Sequence, residues 1–253
     1  MSIERIIPRR GINDEGKGKK FALHKLISAA TTDYVWLQDD DVKLPNIESV
    51  QSQELTADLY ILPLRMRVEG RSANLLERLQ IAEYAAIQQL TMETAKRGHA
   101  VMCSGANLIV KRERWLESYA DLHPEILSGD DMFLLESFKQ RGLKIEAIDE
   151  EQVTAYVTPQ PTLAALISQR MRWAGKAPKF RDKDIVRCGT IVLMANLIQM
   201  VAPAIMLIKF PVEYSLIKKR DASVSLWVAL LLGIVYPYYM FICLFGGFFR
   251  REW

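Results

Sequence analysis

Two stretches without a single charged side chain, residues 188–208 and 222–249, constrain this chain more than any other feature. They run for 21 and 28 residues, and a helix that crosses a bilayer needs about 20. A soluble core helix is the competing explanation, and few run this long without a charge. Each stretch carries residues that disturb a helix: Pro203, with Asn196 and Gln199 nearby, in the first, and Gly233 and Pro237 in the second. If both cross, the intervening Lys209, Lys218, Lys219 and Arg220 lie on the far side, against the preference for basic loops inside. A re-entrant or interfacial first segment, kinked at Pro203, removes that conflict.

The remaining sequence is charged but balanced, with 33 Lys and Arg against 30 Asp and Glu. A net charge of +3 gives no argument for nucleic-acid binding. The basic residues are nonetheless clustered. Arg170, Arg172, Lys176, Lys179, Arg181, Lys183 and Arg187 precede the first apolar stretch, diluted by Asp182 and Asp184. Beside a membrane segment such a run suits the anionic cytoplasmic leaflet; elsewhere it is a solvated linker. Cys103, Cys188 and Cys243 are distant and odd in number, which points to reduced, cytosol-facing thiols. His24, His99 and His123 lack zinc spacing. Residues 1–5 are not followed by the apolar core of a signal peptide.

Strand and helix patterns alternate, which argues for an α/β fold with a mostly parallel sheet. Residues 1–20 are polar and read as a loop. Phe21, Leu23, Leu26, Ile27 and Ala30 fit a short helix. The run Tyr34-Val35-Trp36-Leu37 is a buried strand that stops at three aspartates, and residues 58–62 form a second strand stopped by Pro63. Helical spacing of Leu75, Leu79, Ala82, Ala86 and Leu90 predicts a long helix over about 71–97. An apolar segment at 101–110 surrounds Gly105. Residues 131–141 predict a helix with acids at its start and Gly142 beyond its end. Short strands at 144–148 and 153–157 follow, then an amphipathic helix over 162–173 behind Pro161.

Three motifs carry the chemistry. Asp39, Asp40 and Asp41 stand where a buried strand delivers acids to the ligand edge of an α/β sheet. Asp39 and Asp41, two residues apart, offer oxygen ligands for Mg²⁺ or Mn²⁺, with substrate phosphates completing the shell; a solvated turn has the same composition. Gly129-Asp130-Asp131 opens a helix, where acids are stabilised by the dipole. There a carboxylate can also take a proton from an attacking hydroxyl, and Gly129 lets an acceptor approach the backbone. Gln169, Arg172 and Trp173 lie at i, i+3 and i+4 and share one helix face. They combine a guanidinium fork for phosphate with a flat ring for a sugar; a helix packing Trp173 inward reads the same way. Gly16-Lys17-Gly18-Lys19-Lys20 is basic and glycine-rich but is not a P-loop.

In combination these motifs resemble the membrane-bound family 2 glycosyltransferases, the group of cellulose, chitin and hyaluronan synthases and ceramide glucosyltransferase. Gly18-Lys19-Lys20-Phe21-Ala22-Leu23 is similar to the family's Gly-Lys-x-x-Ala-Leu stretch. Asp39-Asp40-Asp41 is similar to its Asp-x-Asp, and Cys103-Ser104-Gly105-Ala106-Asn107 to its small-residue acceptor segment. Gly129-Asp130-Asp131 resembles Gly-Glu-Asp with Asp130 in place of Glu, and Gln169 to Trp173 matches Gln-x-x-Arg-Trp. The resemblance implies a GT-A fold, a UDP- or GDP-sugar donor and an inverting transfer. It implies that Asp41 with Asp39 holds the divalent metal and that Asp131 is the base. Lys19, Asp39, Gly105, Asp130, Gln169, Arg172 and Trp173 would contact donor or acceptor. A lipid or glycan acceptor hydroxyl would be served at the cytosolic face of the cytoplasmic membrane.

The resemblance also implies an N-terminally incomplete sheet. Family members open with a strand, a helix and a second acidic strand. Residues 1–15 show no apolar strand, and Asn13-Asp14-Glu15 substitutes poorly, so an exposed sheet edge is expected. The resulting organisation is a glycosyltransferase-like domain over 1–187 and a membrane region over 188–253. With two apolar segments rather than many, single transfer is favoured over a processive polysaccharide synthase. An inactive membrane-tethered subunit and a nucleotidyltransferase are the readings from other classes.

Overall fold

The computed structural model describes residues 2–9, 12, 15, 17–43, 54–126 and 128–249. Among these the strands are β1 (Ile3–Ile6), β2 (Tyr34–Leu37), β3 (Leu59–Ile61), β4 (Leu64–Met66), β5 (Leu108–Lys111), β6 (Ile145–Ala147) and β7 (Ala155–Val157). The helices are α1 (Lys19–Ala29), α2 (Leu75–Lys96), α3 (Arg112–Glu117), α4 (Asp130–Gln140), α5 (Leu163–Ala174), α6 (Lys183–Val201), α7 (Met206–Arg220) and α8 (Leu226–Phe249). They form two compact units. The first takes the chain up to Leu64 and residues 91–157; the second takes 65–90 and 158 onward. The expected boundary at residue 187 therefore falls inside the second unit.

The first unit is built on a sheet in the order β1-β2-β5-β3-β6. Strands β1, β2, β3 and β6 point one way and β5 alone runs against them, so the sheet is mostly parallel. Strand β2 is buried at all four positions, as an uninterrupted apolar run between covering layers requires. Trp36, Tyr34, Tyr60, Leu62, Ile109 and Val153 pack into one core cluster around it.

The N-terminal expectation is corrected here. Residues 1–20 are not a single loop: Ile3–Ile6 pairs in parallel with Tyr34–Leu37. Ile3 and Ile6 are buried, and the Arg5 guanidinium lies 5.8 Å from the centre of the Trp36 ring. The strand is four residues long and half charged, so its apolar signal is weak; charges on an edge strand also guard it against pairing with other chains. Asn13 and Asp14 lie outside the described residues.

Asn107 locks the end of the sheet. Its side chain is 1% exposed. Its Oδ1 accepts from Trp36 Nε1 at 2.8 Å, and its Nδ2 donates to the carbonyls of Pro63 and Val153 at 2.8 and 2.9 Å. One amide thus joins four segments and fixes the Cys103-to-Asn107 stretch against β2.

The second unit is helical. Ala82 and Ala85 of α2 pack with Ile217, Val228 and Ala229. The first apolar stretch is not one helix. Helix α6 ends at Val201, Pro203–Ile205 makes a single 3₁₀ turn, and α7 begins at Met206, because proline has no N–H to continue the ladder. Helices α6 and α8, of 19 and 24 residues, are long and apolar enough to cross a membrane. In α8 the buried positions include Ala229, Gly233, Cys243 and Gly247, while Trp227, Ile234, Phe241, Phe245 and Phe248 are exposed.

Replacing Asn107 by Ala strands the Trp36 donor and two carbonyls in the core. Each such group costs about 1–3 kcal/mol, and the expected loss is about 3 kcal/mol in urea unfolding. A loss below about 0.5 kcal/mol, the range of inert surface changes, contradicts this bonding.

Candidate active site

Three separate segments of the first unit deliver one ion cluster. Helix α1 begins at Lys19 behind Gly18. Beyond β2 the chain turns through Asp39, Asp40 and Asp41, with Val42 N–H returning to the Asp39 carbonyl at 3.3 Å. Gly129, at φ +83°, makes the left-handed entry into α4 that places Asp130 and Asp131 in its first turn. Lys19 Nζ then lies 2.7 Å from Asp39 Oδ1 and 3.0 Å from Asp130 Oδ2.

The electrostatics follow from burial and from that ammonium. Burial raises the Asp130 carboxyl, but the charge and hydrogen bond of Lys19 overcome it and leave the group below its ordinary range. Burial likewise opposes the Lys19 charge; Asp130, then Asp39 and Asp131, outweigh it and push its pKa up. At Asp41 burial is not offset by a backbone hydrogen bond or by the Lys19 charge. Desolvation, and next the charge of Asp39, raise its carboxyl above the ordinary range.

Asp131 is held from three directions. Its Oδ2 accepts from the Gly105 N–H at 3.3 Å and its Oδ1 from the Met132 N–H at 2.8 Å. The buried Cys103 thiol donates to its carbonyl at 3.2 Å. A Cβ on Gly105 would sit 2.9 Å from Asp130 Oδ2 and 3.1 Å from Lys19 Nζ, so a side chain there would displace the ion pair. Lys20 donates to the His123 carbonyl at 2.9 Å, tying α1 to the loop that leads into α4. That second lysine had no assigned role in the sequence, because a charged residue at a helix start reads as solvated.

Among the described residues, no group of three or more His, Cys, Asp or Glu gathers at one point. The three acids after β2 form no closed cage among the described residues, and Asp39 also pairs with Lys19. Such an open set fits a divalent ion that keeps waters and takes further oxygens from a phosphate ligand.

Gln169, Arg172 and Trp173 stand on α5 in the second unit. The helix starts where expected, with Thr162 Oγ1 accepting from the Ala165 N–H at 3.2 Å. Arg172 and Trp173 are exposed and Gln169 is half-buried. Sequence reasoning missed Arg170 and Glu83, an ion pair of 2.8 Å with both side chains 7% exposed.

A family model described as Glycosyltransferase like family 2 matches residues 1–176. The chain belongs to that glycosyltransferase family. No curated protein matches the chain. A crystal structure of a mycobacterial protein is similar at 19% identity and a TM-score of 0.33, over 66% of this chain. The chain spans about half of that protein, 53% of its length. In this family 2 domain Lys19, Asp39, Gly105, Asp130 and Asp131 meet at one place.

Lys19→Met removes the shared cation. Losing one partner of a buried pair costs about 3–5 kcal/mol, reduced to about 2 kcal/mol here because Lys19 and Asp39 are about one-third exposed. The Asp130 carboxyl is depressed, so its stabilisation is complete above the ordinary Asp value of about 4 and fades as pH falls through the lowered one. Lys19 is raised, so its share persists up to the ordinary lysine range. The gap in Tm between wild type and variant is therefore wide at pH 7 and closes in acid. A gap independent of pH contradicts the pairing.

Proposed function

We propose that this family 2 domain transfers a sugar, with inversion, from a UDP- or GDP-sugar to a hydroxyl of a lipid or glycan acceptor at the cytosolic face of the cytoplasmic membrane. The observation that carries the reading is the meeting of the Asp39 and Asp130–Asp131 motifs around Lys19 and the Gly105 backbone. Asp131, oriented by two backbone N–H groups, takes the proton of the acceptor hydroxyl. The acceptor oxygen forms its bond to the anomeric carbon as the bond to the diphosphate breaks, from the opposite face. The nucleoside diphosphate leaves, and the proton remains on Asp131. Asp39 and Asp41 would hold Mg²⁺ or Mn²⁺, which when bound supplies positive charge to the leaving diphosphate. Lys19 adds a fixed positive charge at the same edge. On α5 of the second unit, Arg172 carries a fork suited to phosphate oxygens, and Gln169 and Trp173 an amide and a ring suited to a sugar.

The membrane placement rests on α6 and α8. In α8 small residues are buried and large apolar ones face outward, the reverse of a water-soluble helix and the pattern of helices packed in lipid. A contiguous outward patch of this kind is rare on soluble monomers. The basic run before α6 suits the anionic cytosolic leaflet.

The test is a panel of UDP- and GDP-sugars with the detergent-solubilised protein and Mn²⁺ or Mg²⁺. Metal-dependent release of nucleoside diphosphate is expected from the matching donor. Asp131→Asn should lower transfer about a thousandfold, within the range for loss of a general base, and Asp41→Asn should weaken the metal dependence. A folded sample inert toward every donor, or Asp131→Asn at the wild-type rate, contradicts the proposal.

A further inference from the structure

The Gln-x-x-Arg-Trp run is held in place by the two residues that the pattern leaves open. Arg170 is 6% exposed. Its Nη2 and Nε donate to the two carboxylate oxygens of Glu83 on α2, at 2.8 and 3.3 Å. Its Nη1 donates to Gln169 Oε1 at 2.8 Å, and its Cζ lies 4.0 Å from the centre of the Trp173 ring. Met171 fixes the other side of α5 against the Gly246-Gly247 notch of α8. A Cβ on Gly247 would come 2.8 Å from the Met171 carbonyl oxygen, and one on Gly246 would overlap the Met171 side chain.

The guanidinium has only donors. A glutamine bonded to it must turn its oxygen inward, which settles an orientation that is otherwise ambiguous between O and N. Gln169 therefore turns its NH₂ away from Arg170. It offers those N–H groups to an oxygen acceptor on a ligand, while one lone pair of its own oxygen is already engaged by Arg170. Trp173, 42% exposed, has one ring face under the guanidinium.

The geometry points to Arg170, anchored by Glu83, as the positioning residue of this motif: it turns the Gln169 NH₂ outward as a donor to a substrate oxygen and holds the Trp173 ring from one face. This inference rests on the reading of Gln169 and Trp173 as substrate contacts. The substrate oxygen belongs either to the donor diphosphate or to the acceptor sugar.

Gln169→Glu separates positioning from mere structure. A carboxylate pairs with Arg170 at least as well as the amide but has no N–H to offer. The melting temperature should hold or rise. Affinity for UDP or GDP with Mn²⁺, measured by calorimetry, should fall about tenfold if the oxygen is the diphosphate's. The acceptor KM should rise about tenfold if it is the sugar's; one donor hydrogen bond is worth about this factor. Loss in either arm at unchanged stability supports the inference, and no change in both arms overturns it.

A second readout needs no turnover. Acrylamide quenching of Trp173, isolated as the difference from Trp173→Phe, should at least double in Arg170→Met and rise in Glu83→Gln, with the circular dichroism unchanged. Arg170→Lys should not restore the wild-type value, because an ammonium has no planar fork. Unchanged quenching in Arg170→Met overturns the inference. If quenching changes while the wild type neither binds UDP or GDP nor transfers sugar, the transferase reading fails and the positioning geometry stands.

Discussion

The Lys19 ammonium is the contact on which the first unit's chemistry depends. Asp39 arrives from the end of β2 and Asp130 from the start of α4, and both carboxylates meet that one charge at 2.7 and 3.0 Å. Without a cation between them they repel, and Asp131 next to Asp130 adds a third negative charge. The ammonium converts this repulsion into a link between the acidic turn after β2 and the acidic start of α4. Gly105 closes the arrangement from the side, since a Cβ there would crowd both atoms of the Lys19–Asp130 pair.

The second unit solves a different problem with different residues. Its α8 helix buries Ala229, Gly233, Cys243 and Gly247 and turns large apolar side chains outward. The small residues allow close backbone approach, as at Gly247 and Met171. That approach fixes α5 on one side, and the Arg170–Glu83 pair fixes it on the other. The surface presented by Gln169, Arg172 and Trp173 is thereby set by these two anchors.

Much of this was legible in the sequence, for identifiable reasons. Strand β2, the long α2 helix and the acids at the start of α4 are signalled by unbroken apolar runs, by 3.6-residue spacing and by residues suited to helix termini. Strand β1 was hidden because two of its four residues are charged and its burial comes from pairing with β2, about thirty residues later. Arg170 was hidden because its partner lies 87 residues away, and a charged residue within a basic run reads as solvated. The interruption after Val201 was foreshadowed by Pro203, yet α6 begins at Lys183, before the apolar stretch, under the Asp182 cap.

The most direct measurement is a double-mutant cycle on Lys19→Met and Asp130→Asn, read by denaturant unfolding at pH 7. Residues in one ion network couple by about 0.5–3 kcal/mol. The account predicts about 1–2 kcal/mol here, since Asp130 is almost fully buried while Lys19 is partly exposed. Additivity within about 0.3 kcal/mol would mean that the ammonium does not join the two motifs, and the account of the site would fall with it.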